Sequence, residues 1–136
     1  MIIDASVAIK LFTPEEHSDQ AERLLQRESL SAPDLLAAEV ANAFWRMIRQ
    51  GKFAAPPTRL SLLDTFVPDL VPSVDLLQES LLLAVALDHP AYDCFYLALA
   101  VRRDEQLVTA DRRFLAAIAG SRHADRAIAL ADWSPT

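Results

Sequence analysis

Four carboxylates lie at positions of the sequence where they could meet and do chemistry. Asp4 ends the short apolar run "MIID", and Asp111 follows the apolar "LVT". Asp93 lies in the first turn of a predicted helix, and Glu39 lies among apolar residues of another. Four like charges in one pocket would raise each other's pKa values, unless hard divalent cations such as Mg²⁺ or Mn²⁺ compensate them. Paired ions of this kind support phosphodiester hydrolysis, because they activate water and stabilise the leaving oxygen.

These acids can converge only if a suitable fold positions them. Short strands are predicted at 1–4, 29–33, 70–73, 106–111 and 126–132, and helices at 13–28, 33–51, 55–70, 73–88, 89–104 and 112–120. Strands that alternate with helices indicate an α/β domain, here a three-layer α/β/α sandwich around a parallel sheet of four to five short strands. Ligands of such sheets bind at the carboxyl ends of the strands, near the point where the strand order reverses. Asp4 and Asp111 fall at such ends.

Glu39 is the least expected of the four acids. At 3.6 residues per turn, the predicted helix 33–51 has one apolar face that surrounds it, formed by Leu35, Leu36, Val40, Ala43, Phe44 and Met47. A carboxylate in such a place is costly unless its charge is compensated. One explanation is an inward position in a metal pocket. The alternatives are a buried pair with an arginine such as Arg46, or a rotated helix that exposes Glu39.

Each of the other three acids also has an ordinary structural explanation. An aspartate that follows a strand or opens a helix, as Asp4 and Asp111 do, commonly caps the helix through its side chain. Asp93 could simply stabilise the first turn of its helix through the helix dipole. The case for a site therefore depends on all four acids converging, and not on any one of them.

Composition limits the class of protein. The chain has 136 residues, of which 52% are hydrophobic, so we expect a single folded domain over residues 1–136. Its net charge of −6 argues against an ordinary nucleic-acid binder. Eleven of its thirteen cations are arginines, however, and a cluster of acids that holds metal ions is not negative in its working state. Its two glycines exclude the glycine-rich nucleotide-binding loops.

Cysteine content and apolar runs bear on the compartment. Cys94 is the single cysteine, which excludes an internal disulfide and a cysteine-based zinc site and suits a reducing compartment. The first residues lack the features of a signal peptide, and the apolar runs fall far short of the ~20 residues of a membrane span. We therefore expect a cytoplasmic protein that does not enter a membrane.

Four segments, "MIIDASVAIKLF", "PDLLAAEVANAFWR", "YDCFYLALA" and "LVTADRRF", together resemble the PIN-domain ribonucleases, specifically VapC toxins of toxin–antitoxin pairs. The resemblance implies an endoribonuclease that depends on Mg²⁺ or Mn²⁺, with Asp4, Glu39, Asp93 and Asp111 as its acidic centre. It implies Asp4 and Asp93 as direct ligands and Asp111 as a ligand or a partner through water. Glu39 would hold metal-bound water or a second ion.

Further residues beside the acids are candidates for supporting roles. Ser6 and Thr109 match polar positions of the family that orient carboxylates or substrate, although both could simply cap local backbone. Arg112 and Arg113 could grip RNA phosphates, since cations at the start of a helix are disfavoured by the dipole. His89, in the turn before Pro90, could approach the site, although a structural role is the interpretation that we favour.

The resemblance also implies partners. Phe12, Phe44, Trp45 and Phe53 could form core or a partner groove. By resemblance, the partner of such a groove is a VapB-type antitoxin whose C-terminal segment reaches the acidic pocket. The family also typically forms homodimers, and larger assemblies with the antitoxin would follow.

Two other functions compete with the nuclease. A non-catalytic PIN-like binding module would share the fold but would not need the complete set of acids. A phosphotransfer domain would use Asp4 as a covalent phosphate acceptor. The phosphatases that work in this way have a second aspartate two residues later, where this chain has Ser6.

Overall fold

The computed structural model describes residues 1–135, and a five-stranded parallel sheet lies at its centre. The strands are β1 (Ile2–Ile3), β2 (Ser31–Pro33), β3 (Asp69–Val71), β4 (Leu107–Thr109) and β5 (Ala127–Ala129). Their order in the sheet is β3-β2-β1-β4-β5, and every neighbouring pair is parallel. The predicted α/β/α class and its parallel sheet are confirmed.

Within the residues that the structure describes, seven α-helices flank the sheet. They are α1 (Ala5–Ala8), α2 (Ser18–Arg27), α3 (Leu36–Arg49), α4 (Leu63–Phe66), α5 (Leu77–Leu87), α6 (Ala91–Arg103) and α7 (Arg112–Ala119). Short 3₁₀ turns lie at Ile9–Leu11, Thr58–Leu62, Ser73–Leu76, Ala124–Arg126 and Leu130–Asp132. None of the helices in the described part of the chain is both long enough and apolar enough to cross a membrane.

Helix α6 is the most deeply buried helix of the fold. It packs on β1, β2 and β4, and six of its residues are buried: Cys94, Tyr96, Leu97, Ala98, Leu99 and Ala100. A helix that is apolar on nearly all sides suits the interior of a domain. Because α6 also carries Asp93 near its start, its burial fixes where that carboxylate lies relative to the strand ends.

The order in which the chain adds strands to the sheet changes direction between β1 and β4. From β1 the chain moves outward to β2 and β3, and it then crosses back to β4 and β5 on the other side of β1. The carboxyl ends of β1 and β4 therefore flank the switch point of the sheet, where ligands of open α/β folds bind. Asp4 directly follows β1, and Asp111 follows β4 by two residues.

The sequence prediction missed helix α1. The segment after Asp4 forms α1 and then a 3₁₀ turn, although no element was predicted between residues 5 and 12. A helix of four residues is too short to show an apolar period. Its start is instead set by Asp4, whose side chain accepts a hydrogen bond from the Val7 N–H.

Three predicted helices differ from the structure: those that became α2 and α3 begin later than predicted, and the one at 55–70 is much shorter. Helix α2 begins at Ser18 and not near Thr13, since His17 adopts a left-handed conformation with φ 65° that ends any helix reaching back from α2. In the segment 55–70, which was predicted as one helix, only a 3₁₀ turn and the four-residue α4 are helical, and its last two residues begin β3. Pro33 belongs to β2, so α3 begins three residues later than predicted.

Most of the aromatic residues considered for a partner groove belong to the core. Phe44 is buried and lies 5.8 Å from Phe53 between ring centroids, and Phe12 lies 5.5 Å from Phe66. Trp45 is the exception, since about half of its surface is exposed, with the Arg49 guanidinium 5.0 Å from its ring centroid. Any partner contact from this set therefore centres on Trp45.

Candidate active site

A cleft of about 590 Å³ opens at the switch point of the sheet, and all four predicted acids line it. Asp4 and Asp111 reach it from the ends of β1 and β4, Asp93 from the first turn of α6, and Glu39 from α3. The remaining lining residues are Ala5, Ser6, Ile9, Leu35, Ala38, Asn42, Ala43, Arg46 and Tyr92. The convergence that the sequence could only suggest is present in the fold.

Asp4 is the buried member of the group, with 4% of its surface exposed. Its Oδ1 accepts hydrogen bonds from the Ser6 hydroxyl at 2.5 Å and from the Val7 N–H at 3.3 Å, and its Oδ2 accepts one from the Thr109 hydroxyl. Burial raises the pKa of Asp4 to about 7, and the charge of Asp93 adds to the increase. The hydrogen bonds from Ser6, Thr109 and Val7 lower it only in part.

Ser6 and Thr109 connect this carboxylate to the end of β4. The Ser6 Oγ accepts a hydrogen bond from the Ala110 N–H at 2.8 Å, and the Thr109 Oγ1 accepts one from the Asp111 N–H at 3.1 Å. Both hydroxyls therefore contact Asp4 and the backbone that leads to Asp111. The two explanations offered for them, backbone capping and orientation of a carboxylate, are both present in one network.

Asp111 caps helix α7, which is one of the roles that the sequence suggested for an aspartate after a strand. Its Oδ1 accepts hydrogen bonds from the N–H groups of Arg113 at 2.9 Å and Phe114 at 3.2 Å. Asp4 likewise caps α1. Capping and a place in the cleft are therefore compatible for both residues, because the cap fixes the carboxylate beside the strand end.

Glu39 has a partner that was not predicted. Its Oε1 accepts a hydrogen bond of 2.6 Å from the Tyr96 hydroxyl, while Arg46 lies along the same cleft and forms no salt bridge with it. Burial raises the pKa of Glu39, the Tyr96 hydrogen bond lowers it, and the charge of Asp93 raises it further. Burial, followed by the charge of Glu39, raises the pKa of Tyr96 well above its usual range, so this phenol remains a donor.

Asp93 is held by a histidine. Its Oδ2 lies 2.7 Å from the Nε2 of His89, one helical turn earlier, and the His89 ring stacks on Phe114 with 5.0 Å between centroids. The purely structural role expected for His89 is therefore incomplete, since the ring contacts one of the four acids. The spacing of four residues was the signal in the sequence that could have indicated this contact.

Cations lie at the rim of the cleft. Arg112 and Arg113 are exposed at the first turn of α7, directly after Asp111, and Arg46 is exposed on α3. Within residues 1–135, none of these three arginines takes part in an ion pair. They are available to an anionic ligand at the rim.

The donor set of the cleft fits a hard divalent cation. All four acids present carboxylate oxygens, which are the ligands that Mg²⁺ and Mn²⁺ prefer, and the raised pKa values of Asp4 and Glu39 are relieved by positive charge. Among the described residues, no three acidic, histidine or cysteine side chains stand close enough to form a ready ligand cluster. Each carboxylate is instead turned toward its own hydrogen-bond partner.

Comparison with known proteins identifies the class of domain to which this fold and this cleft belong. The model of the PIN domain family matches residues 1–120, and the chain belongs to that family. A relative from Pyrobaculum aerophilum named Ribonuclease VapC3 is 36% identical over 118 residues, which cover 83% of this chain and 90% of the relative. The resemblance to PIN-domain proteins of the VapC type is confirmed.

A solved structure supports the same assignment. The crystal structure of PAE2754 from Pyrobaculum aerophilum matches with a TM-score of 0.69 and 28% sequence identity. The match covers 96% of this chain and 90% of that one.

The burial of Asp4 predicts an unusual pH dependence of stability. Its native pKa of about 7 exceeds its ordinary value of 3.8, so the native state binds more protons than the unfolded state between these values. The contribution of Asp4 to the free energy of unfolding is thus present at acidic pH and is lost as the pH rises through 7. We expect urea unfolding in EDTA to show that wild type loses about 2–3 kcal/mol relative to Asp4→Asn between pH 5 and pH 8. If the difference in the free energy of unfolding between wild type and Asp4→Asn is the same at pH 5 and pH 8, the pKa of Asp4 is not raised.

Proposed function

We propose that this protein is a Mg²⁺- or Mn²⁺-dependent endoribonuclease toxin that cleaves RNA phosphodiester bonds through Asp4, Glu39, Asp93 and Asp111. One observation carries the proposal: four carboxylates from four separate elements line one cleft at the switch point of the sheet. The influence of the Asp93 charge on both Asp4 and Glu39 supports their proximity. The ribonuclease named among its relatives supports the reaction class.

The roles of the four acids follow from their surroundings. Asp4 and Asp93 would be direct ligands, since Asp4 is the most buried and Asp93 influences both of its neighbours. Asp111 would bind directly or through water from the strand end, and Glu39 would hold metal-bound water or a second ion. When bound, the metal supplies an activated water and stabilises the leaving oxygen.

The protein's own groups prepare this site. Ser6 and Thr109 hold Asp4 in its orientation, and Tyr96 does the same for Glu39, as the outer hydrogen-bond partners of metal ligands do. Arg112 and Arg113 would contact RNA phosphates at the rim, since both are exposed and free of ion pairs within the described chain. The substrate backbone would then lie across the cleft beside Asp111.

Control by an antitoxin is the second part of the proposal. A VapB-type antitoxin would neutralise the nuclease by covering the acidic cleft, and its contact with the exposed Trp45 on α3 would anchor it beside Glu39 and Arg46. An exposed aromatic ring with an arginine over it is typical of protein interfaces. Larger assemblies with the antitoxin would follow if the toxin itself is a dimer.

Helix α5 supports a homodimer. Val74, Leu77, Leu81 and Val85 follow one another at helical spacing and are 58–75% exposed, with Leu82 beside them at 64%. A contiguous apolar stripe of this kind on a small domain is typical of an interface. A second copy of the chain is the occupant that we propose.

The competing functions fit the site less well. A phosphoaspartyl domain needs a free nucleophilic oxygen, whereas both oxygens of Asp4 accept hydrogen bonds and its burial disfavours the anion. A non-catalytic binding module would not require four acids at one cleft. Incubation with acetyl phosphate followed by intact-mass measurement tests the first alternative, and calorimetric titration with Mg²⁺ tests the second.

Substitution of the proposed ligands should abolish cleavage. We expect Asp4→Asn and Asp93→Asn each to lower the rate of RNA cleavage with Mn²⁺ by roughly 100-fold or more, because even the loss of an outer partner of a metal ligand costs about 10–100-fold. The assay measures fragments of a structured RNA over time. Asp64→Asn, an exposed acid on α4, is the matched control and should cleave as wild type does. Full activity in EDTA, or in both variants, would refute the nuclease.

Glu39 should matter for cleavage and little for stability. Glu39→Gln keeps an oxygen that can accept the Tyr96 hydrogen bond and removes a half-buried charge, so its free energy of unfolding should stay within about 1 kcal/mol of wild type. Its cleavage rate should fall at least tenfold. Glu39→Ala should lose cleavage equally, while the unpaired Tyr96 hydroxyl costs about 1–3 kcal/mol. A stable and fully active Glu39→Gln would show that Glu39 has no role in cleavage.

The α5 stripe should hold two copies together. We expect light scattering after size exclusion to give about twice the 15.1 kDa chain mass for wild type and the mass of one chain for Leu81→Lys. A buried lysine at the centre of an apolar interface is strongly unfavourable. Gln26→Lys, on the exposed face of α2, should stay dimeric. A monomeric wild type would contradict the dimer, and a dimeric Leu81→Lys would exclude this interface.

A further inference from the structure

His89 is a largely buried polar side chain beside the acidic cleft that the proposed reaction does not use. Its side chain is 11% exposed, and its Nε2 lies 2.7 Å from the Oδ2 of Asp93. Because a carboxylate can only accept, Nε2 must carry the hydrogen and donate it. The contact thus occupies one oxygen of Asp93 and leaves the other for the cleft.

The backbone fixes His89 before its side chain makes any contact. Asp88 ends helix α5 in a left-handed conformation with φ 50°, and the His89 N–H then donates to the Ala84 carbonyl at 3.1 Å. Pro90, with φ −53°, follows as the cap of α6. His89 is therefore the joint between two packed helices, and its Cα has little freedom to move.

Aromatic packing fixes the ring. The imidazole stacks on Phe114 at 5.0 Å between centroids and 20° between planes. Phe114 is fully buried in α7, the helix that Asp111 caps, and its own N–H donates to Asp111. The ring of His89 thus connects Asp93 on α6 to the element that carries Asp111.

Asp93 needs such a fixed partner more than the other acids do. It lies near two carboxylates, since its charge raises the pKa of both Asp4 and Glu39, and its side chain is 26% exposed. Repulsion would turn a free aspartate toward solvent. Outer hydrogen bonds of this type orient carboxylate ligands and increase their affinity for metal.

We propose that His89 is a positioning residue: its Nε2–H holds Oδ2 of Asp93 so that Oδ1 faces the cleft as a metal ligand. This inference rests on the proposed metal site. The essential feature is the hydrogen bond from Nε2. The stacking of the imidazole on Phe114 only places the ring so that Nε2 can reach Asp93.

Two classes of variant separate the hydrogen bond from the packing. His89→Gln keeps an N–H donor near the Nε2 position and loses the ring. His89→Phe keeps a ring that can stack on Phe114 and loses the donor. His89→Asn is a second variant without the hydrogen bond, since its amide ends near the Nδ1 position and falls short of Asp93.

Calorimetric titration of the full chain with Mn²⁺, without RNA, is the test, and urea unfolding in EDTA monitors the fold. We expect His89→Phe and His89→Asn to bind Mn²⁺ about 10–100-fold more weakly than wild type, and His89→Gln to stay within about threefold. Wild-type affinity in a folded His89→Phe or His89→Asn would overturn the proposal. So would a His89→Gln that binds as weakly as they do, because the ring itself would then be what matters.

Asp93→Asn, measured in the same way, distinguishes failure of this inference from failure of the site. If Asp93→Asn binds Mn²⁺ as wild type does, the proposed metal site at Asp93 is wrong, and with it any role for His89. If Asp93→Asn loses Mn²⁺ while His89→Phe keeps it, the site stands and the positioning role of His89 is refuted.

Discussion

The buried carboxylate of Asp4, held by Ser6 and Thr109, is the constraint on which the site depends. It joins the end of β1, the start of α1 and the end of β4 in one hydrogen-bond network. The network forms only in the observed register, in which Ile3 of β1 pairs with Val108 of β4. A slip of one residue would turn Thr109 to the other face of the sheet. The same short pairing that closes the sheet therefore also sets where the first acid lies.

Holding this arrangement costs stability. Burial makes the ionised form of Asp4 unfavourable, and the charge of Asp93 raises the pKa of both Asp4 and Glu39. The fold offsets these costs with specific donors for each acid and with a core in which α6 is buried on nearly all sides. A cleft of acids that is costly alone and relieved by a cation is typical of sites built for binding rather than for stability. The hydrogen bonds orient the acids, while burial of the apolar core supplies the free energy that offsets their cost.

Much of this fold and site could be predicted from the sequence, and the failures have definite physical causes. Short segments between the predicted helices located all five strands, and the apolar runs were clearest for β1 and β4, the buried strands at the centre of the sheet. The inward position of Glu39 also followed from helical period. Helix α1 could not be predicted, since four residues show no period. Tyr96 was missed as the partner of Glu39 because the two residues are 57 positions apart and on different helices, so only the packing of α3 against α6 brings them together. For His89, the four-residue spacing to Asp93 was visible, but the stacking on Phe114 that fixes the ring was not.

The arginines of this acidic chain differ in whether they form ion pairs. Six arginines lie between positions 102 and 126, which in the sequence resembles a basic patch on an acidic chain. The fold divides them: Arg102, Arg103 and Arg126 form ion pairs with Glu79, Asp69 and Asp104, and only the others stay free within the described residues. Of the three that form no ion pair, Arg112 and Arg113 directly follow Asp111, and Arg46 adds a cation without an ion pair at the rim of the cleft within residues 1–135. If these rim arginines alone contacted RNA phosphates, binding under the proposed function would depend only weakly on salt, and the metal site itself would contribute much of the attraction for the scissile phosphate. The net charge of −6 is therefore compatible with the proposed cleavage of RNA, since cations bound at the acidic cleft would offset part of it.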